Sequence, residues 1–160
     1  MQFLNARLKR KLKDLDFLSV QATEKIAEVV KDQIVDRTLD GKGAEGGKTI
    51  KFKAYEPSYK KVRTKAGLPT SPVDLFFTGH MLTQLKVVDL KKGGRFTIRV
   101  HPDDKGKWRG AHEGVKSKKG LKRRPFLDLS ARDIKAIKGD INKIIRREAN
   151  QELRKIGKKK

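Results

Sequence analysis

Cysteine is absent from the chain, which excludes disulfides and thiolate metal sites and suits a cytosolic origin. Aromatic residues make up only 6%, with a single Trp and two Tyr, so a core is affordable but small. Long apolar runs are also missing. No stretch approaches the roughly 20 apolar residues that span a bilayer. Near the start, Arg7, Lys9, Arg10, Lys11 and Lys13 interrupt any signal-peptide core, so no membrane role is expected. Acids are few: 19 Asp and Glu face 41 Lys and Arg, for a net charge of +22. That excess repels itself at low salt and calls for a polyanion such as DNA or RNA, or for acidic partner subunits. The 160 residues suit one domain, and a mean hydropathy of −0.71 points to a heavily solvated surface.

Motifs of catalysis are equally scarce. His80, His101 and His112 match no zinc-site spacing, and His112-Glu113 lacks a second His four residues on. There is no G-x-S-x-G elbow. Asp103-Asp104, with His101, could hold a metal for a nuclease, but acidic turn residues after Pro102 are routine. Gly47-Lys48-Thr49 matches the second half of a phosphate loop. Its frame, however, requires a glycine where Lys42 stands, and a helix precedes it where a strand should. The Gly-rich stretch 41–47 is therefore expected to be a flexible connection. Neither enzyme activity, a cofactor nor a metal is expected.

Periodicity predicts an α+β fold. Residues 1–18 form a basic arm whose Leu4, Leu8 and Leu12 share a helical stripe. Residues 19–156 form a single domain and residues 157–160 a basic tail. Ser19 should cap a helix over about 19–39, with Ala22, Ile26, Ala27, Val29, Val30 and Ile34 inward and Arg37 among the outward charges. Pro57 suits the first turn of a short helix. Asp74 to Leu85 is the most apolar run, the expected centre of the core, with Thr78 capping a short helix over about 79–85. Alternation predicts a hairpin over about 85–101, joined in one small antiparallel sheet by short strands near 49–53 and 123–127. Residues 103–124 read as a long basic loop, in which Lys116, Lys118, Lys119, Lys122 and Arg123 are candidate contacts to DNA or to neighbouring subunits. Ser130 and Asp133 should open a long C-terminal helix over about 130–155, carrying Ile134, Ile137, Ile141, Ile144 and Ile145.

Three pieces, in order, carry a family likeness. Leu75-Phe76-Phe77-Thr78-Gly79-His80-Met81-Leu82 is similar to an L-x-x-[ST]-G-x-[LM]-L segment. Ala111-His112-Glu113-Gly114-Val115 is a compressed form of an A-x-x-H-x-x-G loop. Arg124-Pro125-Phe126-Leu127-Asp128-Leu129-Ser130 is close to R-P-F-L-G-L-S, with Asp128 in place of Gly. Together, over roughly Gly47 to Ile156, the chain resembles the virion-morphogenesis and tail-completion (neck) proteins of long-tailed phages. The resemblance implies a structural subunit assembled in the host cytoplasm into a ring, often a hexamer. Such a ring sits where the head connector meets the tail terminator or tube and joins or terminates the tail, with packaged DNA in its bore. The motif residues it singles out are Leu75, Thr78, Gly79, Met81, Leu82, His112, Gly114, Arg124, Pro125, Phe126 and Leu127.

Overall fold

A computed structural model describes residues 17–76, 78, 80–100, 115–117 and 120–157, and the architecture is α+β. Helix α1 (Val20–Leu39) starts where expected, with the Ser19 hydroxyl accepting from the Ala22 N–H at 3.1 Å. Its inward stripe of Ala22, Ile26, Ala27, Val30 and Ile34 is buried. Arg37 departs from the expected outer face. It lies three residues beyond Ile34, which extends the same stripe, and it is only 4% exposed.

The Gly-rich stretch is not a slack connection. Strand β1 (Lys42–Glu45) pairs antiparallel with β2 (Lys48–Lys51), Glu45 opposite Lys48. The intervening Gly46 (φ 57°) and Gly47 (φ 79°) make the two-residue turn, whose twist requires positive φ at both positions. Helix α2 (Pro57–Lys65) has its proline in the first turn. Helix α3 (His80–Thr83) is shorter than expected. Strands β3 (Lys86–Lys91) and β4 (Arg95–Arg99) form the predicted hairpin, Val87 opposite Ile98, with an irregularity between Val88 and Lys91. Asp89 lies within it at φ 55°, a bulge that lets Lys91 face Arg95. Part of the expected basic loop is a third hairpin, β5 (Val115–Ser117) with β6 (Gly120–Lys122). Pairing satisfies backbone groups that an irregular loop would leave to solvent. Helix α4 (Ala131–Gly157) is the last described element.

Two further expectations are corrected. The described strands form three separate two-stranded hairpins, not one sheet. The hairpin β3–β4 packs on α1 instead of on other strands, and β1 and β2 touch α1 and α4 respectively. Residues 123–127 are not a strand. Pro125 has no N–H to give to a ladder, so the run is held by its carbonyls instead. The Pro125 carbonyl accepts from Ala44 N–H at 3.0 Å.

The core takes in part of the Asp74–Leu85 run and extends well beyond it. Its fully buried members include Leu18, Ile26, Ile34 and Phe126, and Ile137 and Ile141 meet them from α4. Leu82 and Leu85 join this cluster from the side, while Leu75 and Phe76 are half-buried.

Candidate nucleic-acid interface

Two buried arginines define how the surface is built. Arg63, on α2, is 0% exposed. Its Nη2 donates to both oxygens of Asp74 at 3.0 and 3.1 Å, Nε to the Pro69 carbonyl at 2.7 Å, and Nη1 to the Phe76 carbonyl at 2.6 Å. The Tyr55 hydroxyl donates to Asp74 at 3.0 Å and accepts from Leu75 N–H at 3.2 Å. Asp74 also accepts from Phe76 N–H at 3.0 Å. This closed set fixes the 69–76 segment against α2 and holds Leu75 at φ 53°, where an L side chain is disfavoured by about 1 kcal/mol. The Arg63 guanidinium lies 4.7 Å from the Tyr55 ring centroid, over its face. Burial, then the Asp74 carboxylate, push the Tyr55 hydroxyl up from 10.0 to about 12.

The second arginine secures the Arg124–Ser130 run. Arg37 donates to the carbonyls of Phe126 and Asp128, the latter at 2.8 Å, and pairs with Asp133. Asp133 in turn accepts from Ser130 N–H at 2.7 Å and from its hydroxyl at 2.6 Å, while Ser130 Oγ accepts from Asp133 N–H at 3.2 Å. This is a reciprocal cap on α4. Burial alone would raise the Asp133 carboxyl, but the Ser130 hydrogen bonds and the Arg37 charge outweigh it and hold it below the ordinary carboxylate range. Thr49 of β2 donates to Ser130 at 2.8 Å, and Gln33 of α1 to Asp133 at 2.9 Å. One point therefore ties α1, β2 and α4 together.

Above these buried networks lies a cationic surface. Arg124 stands 5.4 Å from the Tyr55 ring centroid and donates to the Lys53 carbonyl at 3.2 Å. Burial lowers its pKa, opposed by Tyr55, Tyr59 and Glu56 beside it. Tyr59 meets Tyr55 edge-to-face at 5.1 Å. Lys48, Lys51, Lys53, Lys60, Lys61 and Lys65 are all exposed along β2 and α2. Arg123 is exposed and pairs with Glu45 at 2.7 Å.

The sequence-predicted residues scatter across this picture. Leu82, Pro125, Phe126 and Leu127 are buried packing positions, Leu75 is half-buried and Thr78 exposed. Met81 lies in α3, Lys116 in β5 and Lys122 in β6, next to exposed Arg123. Gly79, His112, Gly114, Lys118 and Lys119 lie outside the described residues, as do the N-terminal stripe and the Asp103-Asp104 pair. Sequence reasoning missed Arg63 and Asp74 as partners. One signal was present: Asp74 is the only acid between Glu56 and Asp89, set inside an apolar run in a basic region. Among the described residues, no group of three or more His, Asp or Glu could hold a metal, and no helix is long and apolar enough to cross a membrane. No family model, curated protein or solved structure matches the chain.

Proposed function

We propose that the protein is a structural subunit of a tailed-phage virion, a neck or tail-completion protein that assembles as a ring at the head–tail junction. The observation that carries this reading is the order of the three signatures, ending in Arg124-Pro125-Phe126-Leu127 ahead of a long C-terminal helix. The buried packing of that last run supports it. Phe126 lies in the core, and its carbonyl is gripped by Arg37 across the junction of α1 and α4. Such a run is held in place by packing, as a scaffold motif would be, and not by chemistry at an open site. A chain of net charge +22 suits a ring through which DNA passes.

Electron microscopy tests the proposal. The purified protein should form rings, and particles made without it should show separate heads and tails that infect only when the protein is added back. Joined, infectious particles made in its absence overturn the reading. The second reading is a free-standing nucleic-acid-binding protein, favoured by the same charge. It predicts a monomer that binds DNA and whose loss leaves particles intact.

A further inference from the structure

The candidate contacts chosen from sequence lie in the 116–123 stretch, yet among the described residues the largest excess of basic over acidic side chains lies elsewhere. From Lys48 to Ala66 the chain carries seven Lys or Arg and one acid, Glu56. Only one of the seven, Arg63, is buried, and it is spent on Asp74. None of the ion pairs between described residues engages Lys53, Lys60, Lys61 or Lys65. We infer that the face formed by α2, Lys53 and Arg124 is a binding surface for the phosphate backbone of duplex DNA. The inference deepens the neck reading by naming the face that would meet packaged DNA.

Three features fit a duplex backbone. First, the cations are mounted on a rigid support. Helix α2 is pinned from beneath by Arg63, whose four hydrogen bonds run to Pro69, Asp74 and Phe76. Lys60, Lys61 and Lys65 therefore project from a fixed rod, spread over about 7.5 Å of helix axis at about 1.5 Å per residue. Duplex DNA presents a phosphate charge about every 1.7 Å of its axis, so neighbouring phosphates lie within their reach. Second, Arg124 packs on the connection between β2 and α2. It sits between Tyr55 and the Lys53 carbonyl, so its side chain is ordered before any ligand arrives. Third, the surface carries little apolar area. Its exposed large hydrophobics are Tyr59 and Val62, 38% and 50% exposed, a single i,i+3 pair among the cations of α2. A protein partner is usually met by a buried aromatic cluster within a polar rim, and a face of separate cations meets a uniform polyanion better. Lysine ammonium groups meet phosphates as point charges, so binding should be to the backbone and independent of base sequence.

The test uses the full chain and a labelled mixed-sequence duplex of about 20 base pairs, followed by fluorescence anisotropy between about 50 and 200 mM salt. Three variants are compared: Lys60→Gln with Lys61→Gln, Lys53→Gln, and a charge-matched control, Lys135→Gln with Lys138→Gln, on the exposed face of α4. All substituted positions are exposed, and matching thermal melts check that folding is unchanged. The Lys60/Lys61 pair should weaken binding by about tenfold or more near 0.15 M salt and flatten the log–log salt slope by about 1.8. Lys53→Gln should weaken binding less and flatten the slope by about 0.9, and the α4 pair should bind like the parent. Equal losses in the Lys60/Lys61 and α4 pairs would show that total charge, not this face, drives binding, and would overturn the inference. So would a polyglutamate peptide that displaces the duplex at equal charge concentration. The two proposals fail separately. If the Lys60/Lys61 pair binds normally but particles still need the protein, only the DNA face is wrong. If the face is confirmed but particles assemble without the protein, only the neck reading is wrong.

Discussion

Arg63 and Asp74 form a pair in which neither side chain can be removed alone without cost. Replacing Arg63 with Met would leave the Asp74 carboxylate beneath α2 with only Tyr55 and a backbone N–H. Breaking a buried pair this way costs about 3–5 kcal/mol, which urea unfolding would read as a lowered midpoint. Adding Asp74→Leu to that variant should recover part of the loss, because the stranded charge is then gone; a double variant less stable than Arg63→Met would refute this account. Tyr55 gives a pH signature. Its folded pKa is raised, so the unfolded chain loses the proton first. The stability it contributes is complete below pH 10 and falls as pH rises towards about 12. The measurement is the difference between the parent and Tyr55→Phe, whose stability should decline less steeply there. Asp133 behaves oppositely. Its lowered pKa adds stability that is present above the ordinary carboxylate range and lost on acidification.

At the scale of elements, glycines divide sharply by surroundings. A Cβ on Gly43 would lie 2.0 Å from the Pro125 carbonyl oxygen and 2.5 Å from the Phe52 ring, so backbone must move. Gly43→Ala should sharply destabilise the fold. Gly139 sits in an exposed stretch of α4 with nothing within 4 Å of such a Cβ, so Gly139→Ala should stabilise by about 1 kcal/mol. Thermal melts of the two variants should shift in opposite directions. Helices α1 and α4 and the hairpin β3–β4 were legible in the sequence, because each carries its own period of apolar residues, with a cap for each helix and a Gly93-Gly94 turn for the hairpin. The hairpin β1–β2 was not, because Gly46-Gly47 reads as looseness until the strands on both sides are recognised. The Arg124–Leu127 run was legible as apolar but not as irregular, since only Pro125 speaks against a strand. The Arg63–Asp74 and Arg37–Asp133 pairs were illegible because ion pairing across 11 and 96 residues depends on tertiary geometry. Of the candidate interface, charge was legible from composition, and the face that carries it was not.

For the molecule as a whole, among the described side chains the buried positions of α4 end at Ile141, with Ile144 and Ile145 half-buried, while Leu153 is 66% exposed. A chain ending at Asn150 should therefore keep a cooperative urea transition, whereas one ending at Ala136 lacks Ile137 and Ile141 and should show none. Circular dichroism through the denaturant series separates the two. Helix α1 and helix α4 are neighbours in space but sit at opposite ends of the described chain. During synthesis at about 5–20 residues per second, α1 leaves the ribosome about 5–20 s before its partner helix is made. Throughout that interval, Ile26, Val30 and Ile34 have no α4 to cover them, and Arg37 awaits its carboxylate. The core can close only once α4 has emerged, so a chain ended before it would remain open to proteolysis.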